Sequence, residues 1–197
     1  MGFTCTKIDF GQGDEKVENL YARFGSLEPN ICFAGHVDVV PTGDEQSWSI
    51  DPFGGEIKKG KIWGRGAADM KSGIAAFIAA VSEFMETNKN LKDYGSISLI
   101  ITSDEEGKAI NGTKKVVEWL INKSEKISGC LVGEPTNVNQ MGDTIKIGRR
   151  GSFTGSLIVK GIQGHVGYPD LAENPINSLL KMPVSYTHLR AHETIAD

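Results

Sequence analysis

The chain has 197 residues, 39% apolar and 23% charged, with a net charge of −4 from 21 basic and 25 acidic side chains. This is the make-up of a globular protein of one domain or one and a fraction, and the weakly acidic balance gives no electrostatic case for nucleic acid or an anionic membrane as partner. Cys5, Cys32 and Cys130 are far apart and lack C-x-x-C spacing, no apolar run reaches membrane-spanning length, and no basic stretch followed by a long apolar one opens the chain; these features predict a reducing compartment, the cytoplasm, and argue against a disulfide framework or a thiolate zinc site.

In chain order, β-branched and apolar runs predict strands over 3–8, 20–24 and 30–34. The third run leads into Cys32-Phe33-Ala34-Gly35-His36-Val37-Asp38. On a strand, residues i and i+2 share a face, so His36 and Asp38 are expected side by side. A metal-ligating imidazole needs that arrangement, with one ring nitrogen on the ion and the other on a carboxylate. Taken alone, H-x-D more often marks a buried histidine beside a structural aspartate. The turn-rich stretch 44–60 predicts a loop with a short hairpin into 61–63. The glycine-rich stretch 64–73, which holds Asp69, opens a helix over 74–87. That helix is apolar all round and is expected to pack closely on a sheet. A strand over 97–102 runs into Glu105 and Glu106, a helix follows over 114–122, and a strand over 129–132 runs into Glu134. Alternating strands and helices predict an α/β fold with a doubly wound, mainly parallel sheet. The carboxyl edge of such a sheet is where ligands bind. One histidine and several carboxylates gathered there are the donors of a divalent metal site, with zinc the leading candidate.

The pattern changes after Arg149-Arg150-Gly151. Residues 152–160 alternate polar and apolar side chains, as an antiparallel strand with one wet face does. A loop containing His165 and Tyr168 follows, and a helix begins near Asn174. A domain boundary is therefore placed near 150, with a metal-binding domain over 1–150 and the beginning of a second domain over 151–182. Residues 183–197 interrupt the new helix and read as a translated transposon-end adapter from library preparation, a non-native tail. His188 and His192 are accordingly set aside as ligands.

Taken together, the motifs GHVDVVPTGD (35–44), WSIDPF (48–53), GRGAADMKSG (64–73), TSDEEG (102–107), GEPT (133–136), GRRGS (148–152) and GIQGHVGYPDLAENP (161–175) resemble those of the M20 family of co-catalytic metallohydrolases. The resemblance spans about residues 1–181. The first five motifs are shared by much of that family. The last two favour its members that remove succinate from N-succinyl-LL-2,6-diaminopimelate, on the route to lysine and a cell-wall precursor, over its acetylornithine deacetylase, aminoacylase and dipeptidase members. The alternative is an acetylornithine deacetylase-like or other N-acyl-amino-acid hydrolase.

The resemblance implies a zinc-peptidase-like catalytic domain followed by an α+β lid and dimerisation domain. It implies two divalent metal ions, zinc with cobalt as the alternative, an N-succinyl amino acid as small-molecule substrate and a homodimer as the full-length state. His36, Asp69 and Glu134 would bind the first ion; Asp69, bridging, and Glu106 the second. Glu105 would be the general base and Asp38 would orient His36. Arg149, Ser152, His165 and Tyr168 would contact substrate, His165 from the partner's lid. The family takes a further histidine near its C-terminus and an N-terminal helix, neither of which this sequence supplies. The chain is thus expected to be truncated at both ends and inactive by itself.

Each residue also has a plainer reading. Asp69 before a helix is the pattern of an N-cap, worth about 1 kcal/mol. Glu105 and Glu106 are the pattern of a solvated acidic turn, Glu134 that of a surface turn, and Arg149 and Arg150 that of exposed charges. Cys32 and Cys130 read as small buried apolar residues rather than reactive thiols.

Overall fold

The run Asn30–His36 is the centre around which the fold is built. It forms strand β3, and every second side chain goes to the opposite face. Cys32 and Ala34 enter one apolar cluster with Ile8, Tyr21, Ile100, Val116 and Leu120. Phe33 enters another with Ala22, Met70, Ile74 and Leu99. A strand buried on both faces needs a layer on each, and the helices supply them. A computed structural model describes residues 1–148, 151 and 156–181. The chain divides into two units, Met1–Lys146 and Ile147–Asp197.

The first unit holds strands β1 (Thr4–Phe10), β2 (Val17–Phe24), β3, β4 (Glu56–Lys58), β5 (Lys61–Trp63), β6 (Ser96–Thr102) and β7 (Gly129–Val132), with helices α1 (Ser72–Thr87) and α2 (Thr113–Asn122). The main sheet has the order β1-β2-β6-β3-β7. β6, β3 and β7 run parallel, whereas β1–β2 and β2–β6 are antiparallel. The sheet is therefore mixed rather than mainly parallel. The reason is local: β1 and β2 are joined by a short turn at Gly11–Lys16, and a short connection between neighbouring strands permits only an antiparallel pair. β4 and β5 form a separate hairpin whose turn residues, Lys59 (φ 53) and Gly60 (φ 72), both take the left-handed conformation. That geometry matches the twist of a two-residue hairpin.

The two helices cover opposite faces. Val116 and Leu120 of α2 join the Cys32 face, and Ile74 of α1 joins the Phe33 face, with Phe77 stacked on Phe33 at 4.5 Å between ring centroids. α1 does not pack on all sides as its composition suggests. Only Ile74 and Val81 are buried, while Ile78 and Phe84 are 39% and 46% exposed. A helix beside one sheet can bury only one stripe, whatever its opposite face carries.

At the amino ends of the parallel strands the core is polar. Buried Asn30 donates to the Lys126 carbonyl at 2.9 Å and accepts from Ser98 Oγ at 2.8 Å. Arg23 pairs with Glu125, which also accepts from Tyr21 Oη at 2.8 Å. These groups partner each other, which limits the cost of burying them.

In the second unit, Ile162 and Glu173 form an isolated antiparallel bridge with reciprocal hydrogen bonds of 3.0 and 2.9 Å. Helix α3 spans Pro175–Lys181, and Asn174 Oδ1 accepts from the Ile176 amide at 2.9 Å. The strand expected over 152–160 is absent from the part of it that is described, 156–160. Residues 152–155 lie outside the described residues, as does the tail 183–197.

Candidate metal centre

Three parallel strands end together, and each delivers chemistry at or just past its last residue. β3 ends on His36, whose ladder partner is Thr102, the last residue of β6. Glu105 and Glu106 follow three and four residues later. β7 ends at Val132, and Glu134 follows after one glycine. Gly133 is required by contact: a Cβ there would lie 2.3 Å from Phe33 Cζ. Asp69 comes from the turn Ala67–Lys71 that leads into α1, where its φ of −119° and ψ of 101° are not helical. It is therefore not an ordinary residue of that helix. The next side chain, Met70, is 1% exposed and lies beneath the site, with its Sδ accepting from the His36 amide at 3.3 Å. Room for it exists because Gly35 has no side chain: a Cβ there would lie 2.8 Å from Met70 Cε.

His36 is 1% exposed. Its Nε2 lies 3.0 Å from Asp69 Oδ1, 3.6 Å from Glu134 Oε1 and 4.0 Å from Glu105 Oε2. Two sets of donors converge, His36 with Asp69 and Glu106, and His36 with Glu105 and Glu134, the ligand atoms of each set lying within 4.8 Å of one another. Zinc–ligand bonds of about 2.0–2.2 Å put two ligands of one ion at most about 4.4 Å apart, so small side-chain shifts would close either set on an ion.

Asp38 lies beyond the end of β3, so the alternation of a strand does not place it. On the far side of the ring, His36 Nδ1 is 3.0 Å from the Asp38 carbonyl oxygen and 3.5 Å from its Oδ1. Asp38 Oδ2 accepts from the backbone amides of both Glu105 and Glu106 at 2.9 Å. The aspartate thus holds the glutamate turn as well as facing the histidine.

The electrostatics are those of crowded like charges. Burial and then Asp69 push the Glu134 carboxyl above its ordinary value, and burial, Asp69 and Glu105 do the same to Glu106. For His36, burial opposes protonation, but the Asp38 carbonyl, Asp69, Glu134 and Glu105 outweigh it, and the imidazole titrates above its usual range. Among the described residues, no lysine or arginine pairs with Asp69, Glu105, Glu106 or Glu134. Four carboxylates around one imidazole, without a protein cation, are what a divalent cation neutralises. The nitrogen and oxygen donors suit zinc and its neighbours.

Sequence reasoning singled out His36, Asp38, Asp69, Glu105, Glu106 and Glu134, and the structure brings all six together. It did not single out Asp104, whose carboxylate accepts from the amides of Ala109, Ile110 and Asn111 at 2.8–3.0 Å. Asp104 orders the loop from the glutamates to α2; its signal was the acidic side chain opening a glycine-containing turn. Of the substrate candidates, Arg149 and Ser152 lie outside the described residues. His165 and Tyr168 belong to the second unit, with ring centroids 5.7 Å apart, and His165 Nδ1 accepts from the Gly167 amide at 3.0 Å. In the first unit, a cavity of about 300 Å³ is lined by Thr42, Asp44, Trp48 and Trp63 and by none of the metal candidates.

The sequence matches the family described as peptidase family M20/M25/M40 over residues 32–194. It is 58% identical over 180 residues to the succinyl-diaminopimelate desuccinylase of Rhodospirillum centenum, covering 91% of this chain and 46% of that protein. It is 56% identical over 183 residues to the protein of the same name from Pelagibacter ubique, covering 92% and 47%. The chain thus spans about half the length of these relatives. Among solved structures, human carnosine dipeptidase 1 superposes with a TM-score of 0.56 at 28% identity, over 66% of this chain and 29% of that one. An M20 family metallo-carboxypeptidase from Sulfolobus solfataricus superposes with a TM-score of 0.57 at 22% identity, over 68% and 29%, a likeness of fold.

Proposed function

This chain belongs to peptidase family M20/M25/M40, and from that premise we propose that it is the metal-binding part of an enzyme that hydrolyses N-succinyl-LL-2,6-diaminopimelate to succinate and diaminopimelate. The observation that carries the reading is the cluster of His36, Asp69, Glu105, Glu106 and Glu134 at one sheet edge, in a chain more than half identical to enzymes named for that reaction. In this reading His36, Asp69 and Glu134 hold one ion, and Asp69 and Glu106 contribute to a second. Zinc fits the donors, with cobalt as the alternative. Bound there, such ions supply a Lewis acid for the amide carbonyl and bring a water near neutral acidity.

The side chains do the rest. Glu105, 39% exposed, accepts the proton of the attacking water and returns it to the leaving amine. Asp38 keeps the glutamate turn and the imidazole in register. Arg149 and Ser152 bind a substrate carboxylate, the guanidinium by a two-pronged contact; Tyr168 contacts substrate as well, and His165 does so from the partner's lid in a homodimeric, cytoplasmic enzyme. No described helix is long and apolar enough to cross a membrane.

The test compares hydrolysis of N-succinyl-LL-2,6-diaminopimelate with that of N-acetylornithine by the enzyme carrying this segment, alongside zinc uptake by the chain in equilibrium dialysis. Preference for the succinyl substrate and zinc uptake lost in His36→Ala are expected. Preference for the acetyl substrate would transfer the site to a deacetylase, and a chain that takes up no zinc would sink the metal reading.

A further inference from the structure

Cys32 and Cys130 are directly paired residues of the parallel β3–β7 ladder. Paired residues of neighbouring strands stand on the same face, on backbones about 4.7–4.9 Å apart. Two cysteines can be bridged when their Cα atoms lie about 4.4–6.8 Å apart, a range that includes this strand spacing. Their surroundings differ. Cys32 is fully buried among Tyr21, Ile100, Val116 and Leu120, whereas Cys130 is exposed on the edge strand. This corrects the expectation that both are buried, and the reason is that, among the described residues, β7 is the edge strand with no neighbour on its outer side. The neighbouring Cys32 thiol lowers Cys130 to about 7, and Cys130 together with burial pushes Cys32 up, while the Cys32 thiol itself donates to the Phe33 carbonyl at 3.5 Å. Near neutral pH the exposed sulfur is the nucleophile and the buried one keeps its proton.

We propose that Cys32 and Cys130 form a redox-reactive thiol pair that takes a peroxide as its oxidant and closes to a disulfide between the central and the edge strand. The Cys130 thiolate attacks one peroxide oxygen; the O–O bond breaks, hydroxide leaves, and Cys130 becomes a sulfenic acid. The Cys32 sulfur then attacks the Cys130 sulfur, the S–O bond breaks, and the departing hydroxide takes the Cys32 proton as water. The first hydroxide takes up the proton that Cys130 released on ionising, so that, counted from two thiols, the pair loses two electrons and two protons and the peroxide becomes two waters. The bridge lies four residues before His36 on one strand and four before Glu134 on the other, so it ties together the roots of two candidate metal ligands. Cys5, exposed on β1, lies at the other end of the sheet and serves as an internal control.

The purified chain, treated with an equimolar amount of hydrogen peroxide, should fall from three free thiols to one. Peptide mapping without reductant should show Cys32 joined to Cys130 in a monomer, with Cys5 free. In Cys32→Ser the reaction should stop at a Cys130 sulfenic acid that dimedone traps; in Cys130→Ser, Cys32 should stay reduced; Cys5→Ser should still close the bridge. Alkylation of Cys130 by iodoacetamide should be half-maximal near pH 7. Cys130 going on to sulfinic acid while Cys32 stays titratable, or a bridge that forms only through Cys5 or between chains, would overturn the proposal.

Discussion

Asp38 serves two structures at once, and the geometry at that residue explains why a histidine and two glutamates from different strands meet. One carboxylate oxygen faces the His36 ring while the other accepts the amides of Glu105 and Glu106. Removing the carboxylate frees the turn and takes the charge from the Nδ1 side of the ring, where the Asp38 carbonyl remains at 3.0 Å. Groups that orient metal ligands in this way typically change affinity by about 10–100-fold when lost. Asp38→Ala should weaken zinc binding by a factor in that range, read by competition with a chromophoric chelator; unchanged affinity would reduce Asp38 to a turn residue. Glu105 and Glu106 are adjacent but fall into different donor sets, so each reaches a candidate ion position and substitution separates base from ligand. In the active enzyme Glu105→Gln should lower turnover about 10²–10⁴-fold with zinc content unchanged. Loss of zinc together with turnover would make Glu105 a ligand instead.

The elements place these residues by packing, and their contributions are measurable. Leu120 of α2 is 3% exposed in the cluster that supports Cys32 and Ala34 of β3. Leu120→Ala should lower the stability of the chain by about 2–5 kcal/mol, read from the midpoint of urea unfolding. A smaller loss would mean that α2 can settle into the space. Gly133 sits at the end of β7, with Phe33 where a side chain would go. Gly133→Ala forces Phe33 or the strand end to move, and should cost about 1–3 kcal/mol and also displace Glu134. An alanine variant with unaltered zinc affinity would show that the strand end yields without moving the glutamate. Parallel strands put three chain ends at one edge, whereas an antiparallel neighbour sends its end the other way. β2 bears none of the cluster for that reason, whereas β1 ends at the same edge but runs into the Gly11–Lys16 turn, separated from β3 by two strands and outside the cluster.

For the molecule as a whole, the cluster predicts a pH dependence with a defined sign. His36, Glu106 and Glu134 all titrate above their ordinary values in the folded, metal-free chain. A raised folded pKa means that the folded state holds its proton more tightly than the unfolded one. The stability these groups contribute is fully present below their unfolded values, about 4.3 for glutamate and about 6.5 for histidine. It is lost as pH rises through the higher folded values. The melting temperature of the metal-free chain should therefore fall from acidic toward neutral pH beyond what Glu134→Gln shows. With zinc present the trend should reverse, because the ligands must be deprotonated to bind. Melting curves that respond to neither pH nor zinc would contradict the cluster's electrostatics.

The sequence by itself determined the ingredients of the site and the strand positions that carry them. His36, Glu105, Glu106 and Glu134 follow apolar runs, and such runs become core strands because their side chains must leave water. Asp69 was legible from the glycine-rich turn before an apolar helix. The structure alone decided how these pieces pair. The parallel order β6-β3-β7 depends on contacts far apart in sequence, and the antiparallel addition of β1 and β2 made the sheet mixed, which alternating strands and helices did not reveal. Asp38 was expected beside His36 from strand alternation, yet β3 stops at His36, and the carboxylate is held instead by amides some seventy residues away. The proximity of Cys32 to Cys130 was hidden in the same way, because their separation along the chain says nothing about register. Burial is local and can be read from residue type, whereas register and pairing are settled by which distant surfaces fit.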